Sequence, residues 1–178
     1  MTVAALRRGS TTIVRSDADE ALTALYLQHY TSLLRLAGLL LDDRGASEEV
    51  VQDAYIKMHG AWQRIDDPES ALAYLRQTVV NLARSRMRRR LVAIKHAPKP
   101  MPHGPSAEYG AIAGAERAEV IAQLRKLPKR QREAIVLRYY GDLSENEIAA
   151  AMGCSNGAVK THVHRGMAAL AKSLEALA

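Results

Sequence analysis

LPKRQREAIVLRYYGDLSENEIAAAMGCSNGAVKTHVHRGMAAL, residues 127–170, carries three helix-boundary signals in close succession. Ser144 with Glu147 three residues on is a capping box, in which hydroxyl and carboxylate satisfy the backbone N–H groups at a helix start. Gly153 suits the left-handed residue that closes a helix. Ser155 can cap the next one, running from about Asn156 to Leu174. Two helices separated by a tight glycine-containing turn form a helix-turn-helix. In the second helix Val159, Val163, Leu170 and Leu174 fall on one inward stripe. Ser155, Asn156, Gly157, Lys160, Thr161, His164 and Arg165 gather at its N-terminal end, off that stripe. Recognition helices set such side chains against base edges in the major groove, with cations on nearby phosphates. Small Gly157 permits close approach, and the helix N-terminus itself attracts phosphate. A helical hairpin with no DNA role would have the same boundaries, so pattern alone leaves both readings open.

Upstream, helical periodicity reaches back to about Ile112, giving a second unit over 113–178. Residues 91–112 hold Pro98, Pro100, Pro102 and Pro105, four of the six prolines, with Gly104 and Gly110. Proline removes backbone donors and fixes φ, so this segment reads as a flexible, extended linker. Before it, Leu22, Leu25, Tyr26, His29, Leu33, Leu36, Ala37 and Leu40 recur at helical spacing. Asp42-Asp43-Arg44-Gly45 breaks that helix, and Ser47 is the expected N-cap of a second helix ending near Trp62. Its inner face would be Val50, Val51, Ala54, Tyr55, Met58 and Trp62. Its outer face would be Glu48, Glu49, Gln52, Asp53, Ile56 and Lys57. Pro68 and the preceding acids suit the start of a third helix, from about Ser70 to Arg90. Residues 18–90 therefore read as one helical bundle, and residues 1–17, which lack periodicity, as a flexible tail. The expected fold class is all-α, two small helical domains on a flexible linker.

Composition agrees with this. Of 178 residues 48% are apolar, enough for a buried core, while aromatics are only 4% with no Phe. That balance favours packed helices over sheets. One cysteine, Cys154, excludes an intramolecular disulfide framework and any Cys-rich zinc site. No apolar run approaches the ~20 residues that cross a bilayer, and no signal peptide is evident, so the expected address is the cytoplasm without membrane insertion. The net charge of +6 is unevenly spread. Residues 17–69 carry eleven acidic and four basic side chains, whereas 70–107 carry eight basic and none acidic. Such blocks suggest two binding faces, one for phosphate and one for a basic protein surface, although a charge run can also be a solvated face.

The 127–170 stretch resembles region four of bacterial sigma factors of the extracytoplasmic-function (ECF) group, within the sigma-70 family. EEVVQDAYIKMHGAW (48–62) is similar to the polymerase-binding helix of that family's region two. PESALAYLRQTVVNLARSRMRRR (68–90) is similar to the helix that reads and opens the minus-ten element. The resemblance covers about residues 18–90 and 113–175, in the family's order. It implies an alternative sigma factor that recognises minus-thirty-five and minus-ten elements, melts DNA and starts transcription. Lys160, Thr161, His164 and Arg165 then match positions that touch the minus-thirty-five element, and Arg138 a basic position reaching its backbone. Ile65, Asp66, Asp67 and Ser70 match the loop that holds a flipped minus-ten base. Asn81 matches an Asn of the third helix, and Arg84, Arg86, Arg88, Arg89 and Arg90 would follow the phosphates beyond. Glu48, Glu49, Gln52, Asp53 and Ile56 match the face that docks on the clamp coiled coil of the polymerase largest subunit. Implied partners are core RNA polymerase (clamp and flap), promoter DNA and an anti-sigma factor. Two departures stand out: Tyr74-Leu75-Arg76-Gln77 where many members have Trp-Leu-Tyr-Arg, and His164 where Phe or Leu is common.

Two other classes remain to be weighed. A free-standing regulator with a LuxR-type helix-turn-helix explains 127–170 but not the acidic and arginine-rich helices of the first unit. A nuclease would need a carboxylate cluster for metal, and the basic block has no acids. No Gly-rich phosphate loop, HExxH or G-x-S-x-G occurs, so no enzyme, cofactor or metal is expected. His162 and His164, two apart, point to different faces of a helix.

Overall fold

The computed structural model describes residues 6–65, 67–96 and 115–176. Among them are seven α-helices and no strand: α1 (Leu6–Leu41), α2 (Arg44–Ala61), α3 (Pro68–His96), α4 (Ala115–Lys126), α5 (Lys129–Tyr139), α6 (Glu145–Met152) and α7 (Asn156–Glu175). A single 3₁₀ turn, Trp62–Arg64, follows α2.

Helices α1, α2 and α3 pack against one another as a three-helix bundle. Leu33, Leu36 and Ala37 of α1, Val51, Ala54 and Met58 of α2, and Ala71, Leu75, Val79, Val80 and Ala83 of α3 fill its centre. Helix α1 ends at Asp42, which adopts a left-handed conformation (φ 55°). Short polar side chains tolerate that region better than most. The cap of α2 is Asp43, whose carboxylate accepts from Ala46 N at 2.8 Å, and not Ser47. Ser47 is instead buried in the first turn, its hydroxyl donating to the Asp43 carbonyl. Both residues can cap, and the earlier one acts because nothing between them stops the helix.

Two further boundaries differ from the sequence reading. Residues 6–17 continue α1 where a tail was expected, because no proline interrupts them and a nucleated helix propagates cheaply. Helix α3 runs to His96 rather than stopping at Arg90. The first proline beyond it is Pro98, and residues just before a proline are biased away from helix, so α3 has no earlier reason to end. The remainder of the proposed linker, 97–112, lies outside the described residues.

In the second unit α7 packs on α4, α5 and α6. Ser144 and Glu147 form the expected capping box, Gly153 closes α6 in the left-handed region (φ 61°), and Ser155 caps α7 through Ala158 N. Gly166 lies where α7 crosses α5: a Cβ there would sit 2.7 Å from Ile135 Cδ1 and 3.1 Å from Gln131 Cβ. The two units also touch each other, α1 against α5 and α3 against α6, and buried apolar residues of both join one continuous cluster.

Candidate nucleic-acid interface

Backbone periodicity on α7 turns Val159, Gly166 and Leu170 inward and leaves Ser155, Asn156, Gly157, Lys160, Thr161, His164 and Arg165 exposed together. Several are already oriented. Asn156 donates to Asn146 Oδ1 at 2.6 Å, and Thr161 to the Gly157 carbonyl at 2.9 Å. Glu145, at the start of α6, faces two of the cations: Arg138 Nη1 at 3.2 Å and Lys160 Nζ at 3.6 Å. Arg138, at the end of α5, thus joins the α7 cluster through a shared carboxylate, which keeps both cations aimed the same way. Such exposed pairs are weak, ~0–1 kcal/mol, and readily exchanged for phosphate. Glu145 was not singled out from the sequence, since it meets Lys160 only through the packing of α6 on α7.

On the first unit, Asp67 and Ser70 serve the start of α3. Asp67 Oδ1 accepts from Ser70 N and Oδ2 from Ser70 Oγ, each at 2.8 Å. Ile65 is half-buried against the core, and Asp66 lies outside the described residues. The loop borders a cavity of about 320 Å³ lined by Ala21, Ala24, Leu25 and Gln28 of α1 with Trp62, Ile65 and Asp67. The α1 wall was not visible in the sequence, because it comes from residues more than 30 positions away. Asn81, Arg88, Arg89 and Arg90 are exposed along α3. Arg84 and Arg86 are not free in the same way. Arg84 pairs with Glu133 of α5, and Arg86 with Glu49 of α2.

The acidic face of α2 is present as one strip: Glu49, Gln52, Asp53 and Ile56 are all exposed, and Glu48, half-buried, pairs with Arg44 at 2.9 Å. Ile56 is 70% exposed, and beside it on α1 Leu27 is 80% exposed and Tyr26 also open. These residues, with Leu22, Tyr55 and His59, line a groove of about 580 Å³. The Tyr26 ring centroid lies 4.6 Å from that of Tyr30 and 5.3 Å from that of Tyr55, in tilted contacts. Tyr55 donates to the Leu25 carbonyl at 3.1 Å, and burial, with the neighbouring tyrosines, pushes its hydroxyl up to about 12. Tyr26, expected inside, sits on the groove's edge. Leu27, an apolar residue off the inward stripe, is the signal that would have found the groove. Among the described residues no cluster of three or more His, Cys, Asp or Glu side chains could hold a metal ion, and no helix is long and apolar enough to cross a membrane.

With this geometry in view, known proteins give a family. Residues 25–91 match the pattern of Sigma-70 region 2, and residues 117–170 that of Sigma-70, region 4. The chain belongs to the ECF group of the sigma-70 family. The RNA polymerase sigma-E factor of Streptomyces avermitilis is 33% identical over 144 residues, covering 81% of this chain and 79% of that one. That of Streptomyces coelicolor is 34% identical over 146 residues, covering 82% and 81%. Among solved structures, the sigma factor RpoE of Bartonella quintana, in complex with the anti-sigma factor NepR, superposes with a TM-score of 0.59 at 23% identity, covering 86% of this chain and 96% of that one. CnrH, in complex with the cytosolic domain of CnrY, gives 0.53 at 26% identity, covering 92% and 96%. This sigma factor therefore has both family regions in the expected order and serves transcription initiation, a role that is not enzymatic in its family.

Proposed function

We propose that this sigma factor directs core RNA polymerase to promoters through three surfaces of its own chain. The exposed N-terminal face of α7, with Arg138, reads the minus-thirty-five element. The 65–70 loop and its cavity take a flipped minus-ten base, and Asn81 with the arginines of α3 guides the displaced strand. The acidic strip of α2, extended by Leu27 and Tyr26, docks on the basic clamp coiled coil of the polymerase, and the second unit meets the flap. Unstacking DNA costs a few kcal/mol per base, which base capture and phosphate contacts offset. Two weak contacts on one tether gain an effective concentration in the millimolar range, about what a short flexible linker supplies. An anti-sigma factor is the regulatory partner we infer, as the Bartonella quintana relative was solved with one.

The observation that carries this reading is that α7 presents six candidate DNA contacts on one exposed face, with its cap Ser155 beside them. A free-standing regulator would leave the α2 strip and its apolar groove unused. Run-off transcription with core polymerase on a genomic fragment library tests the proposal. Discrete start sites that appear only with this protein support it. Equal initiation in its absence, or no comigration with core polymerase in gel filtration, overturns it.

A further inference from the structure

We propose that Glu145 is a specificity-determining residue of the minus-thirty-five interaction, one that weakens contact with phosphate while leaving contact with base edges intact. This rests on the reading of α7 given above and adds to it a residue outside the recognition helix. Glu145 Oε1 accepts from Arg138 Nη1 at 3.2 Å, and Glu145 Oε2 lies 3.6 Å from Lys160 Nζ. The carboxylate has no part in capping α6, because Ser144 and Glu147 satisfy that helix start between themselves. The side chain of Glu145 is 35% exposed, and those of Arg138 and Lys160 are 41% and 65% exposed. Ion pairs so open to water add little to the stability of the fold. Among the described residues neither cation has another carboxylate partner. What Glu145 acts on is therefore whatever approaches the reading face.

Arg138, Lys160 and Arg165 are the permanent cations of that face, and Glu145 offsets one of these three charges. Non-specific binding to duplex DNA comes almost wholly from cations on phosphates, each contact releasing counterions. A phosphate that approaches Lys160 also approaches the Glu145 carboxylate, and like charges repel. A base edge carries no net charge, and guanine offers O6 and N7 to a lysine without that repulsion. Glu145 thus lowers affinity wherever Lys160 can meet only phosphate, and lowers it little where Lys160 meets guanine. Arg138, reaching the backbone, bears the same cost on every sequence, so its share cancels from the ratio of specific to non-specific affinity. Selectivity here comes from disfavouring the wrong site. That ratio, rather than tightness alone, decides whether a promoter is found among competing genomic sequence.

The test compares the full chain with Glu145→Gln, which removes the charge and keeps the side chain's size, and with Glu145→Asp, which keeps the charge. Both leave the Ser144–Glu147 capping box intact, and a change at so exposed a side chain does not unfold the protein. Fluorescence anisotropy with a labelled mixed-sequence duplex of about 30 base pairs, titrated with potassium chloride, reads phosphate contact. Glu145→Gln should bind this duplex about three- to tenfold tighter at about 100 mM salt. Its logarithmic salt slope should steepen by about 0.9, the increment of one further phosphate contact. Glu145→Asp should stay within about twofold of the parent, since the repelling charge remains. Run-off transcription with core polymerase on the genomic fragment library reads selectivity. With Glu145→Gln the share of transcripts from the strongest start sites should fall about twofold or more as weaker sites appear. Unchanged duplex affinity and slope in Glu145→Gln overturn the proposal. So does tighter binding with an unaltered distribution of start sites, or an Asp variant that gains as much as the Gln variant. A parent chain that yields no polymerase-dependent start sites would instead remove the sigma-factor reading, while the duplex titration would still report whether Glu145 restrains phosphate contact.

Discussion

Gly166→Ala and Gly166→Val probe what fixes the recognition helix in place. Helix α7 crosses α5 so closely that a new Cβ would stand 2.7 Å from Ile135 Cδ1 and 3.1 Å from Gln131 Cβ. Ile135 Cδ1 is the end of a flexible side chain and can turn, but Ile135 is itself 3% exposed and has little room. Gln131 Cβ is tied to the α5 backbone. Overpacking of this kind costs about 1–3 kcal/mol, and replacing glycine by alanine inside a helix returns about 1 kcal/mol. The alanine variant should therefore lose between about 0 and 2 kcal/mol. Valine, with two further methyl groups in the same gap and a poorer helix propensity, should lose more than about 2 kcal/mol. In a domain of this size that corresponds to roughly 8 °C or more in Tm. Urea melts followed by circular dichroism measure stability, and duplex binding at low salt measures how far α7 has moved. The valine variant should bind more weakly than its residual folded fraction accounts for, because the exposed face shifts with the helix. A valine variant as stable as the parent, with unchanged duplex affinity, would refute the idea that α5–α7 contact sets the position of the reading face.

Lys160→Ala should weaken minus-thirty-five binding by roughly 1–3 kcal/mol if it reads a base, or lower the salt slope by about one if it meets phosphate; a titration in potassium chloride separates the two. Asp53→Lys should reduce co-purification with core polymerase by reversing charge on the α2 strip, with full retention removing that face from the docking surface. Ser144→Ala should cost about 0.5–2 kcal/mol at neutral pH through the lost cap. The hydroxyl and N–H of Ser144 hold the Glu147 carboxyl below the usual carboxylate range. Their stabilisation is therefore present above the ordinary carboxylate pKa and lost as pH falls through the lowered one. Thermal melts of parent and variant between pH 7 and 3 should converge on acidification, and a constant gap would exclude Glu147 from the effect.

The helix-turn-helix was legible because each of its boundaries is a local event. Ser144, Glu147, Gly153 and Ser155 act on backbone groups within one turn of themselves, so their spacing is enough to place α6 and α7. The exposed face of α7 followed from the same periodicity that buried Val159 and Leu170. Where two candidates lay within one turn, as with Asp43 and Ser47, spacing could not choose between them. Where no breaker existed, as over residues 6–17 and 91–96, weak periodicity was a poor guide to where a helix ends.

What composition and spacing established, then, was the all-helical class, the second unit's turn, and which side chains of α7 and α2 face outward. Tertiary structure alone decided that Arg84 faces Glu133, that Arg132 reaches Asp42 from 90 residues away, and that Leu27 joins Ile56 in one groove. Capping energies depend on neighbours one to four residues apart and are written into the order of the chain. Ion pairs and grooves depend on distances through space, which exist only once the helices have packed.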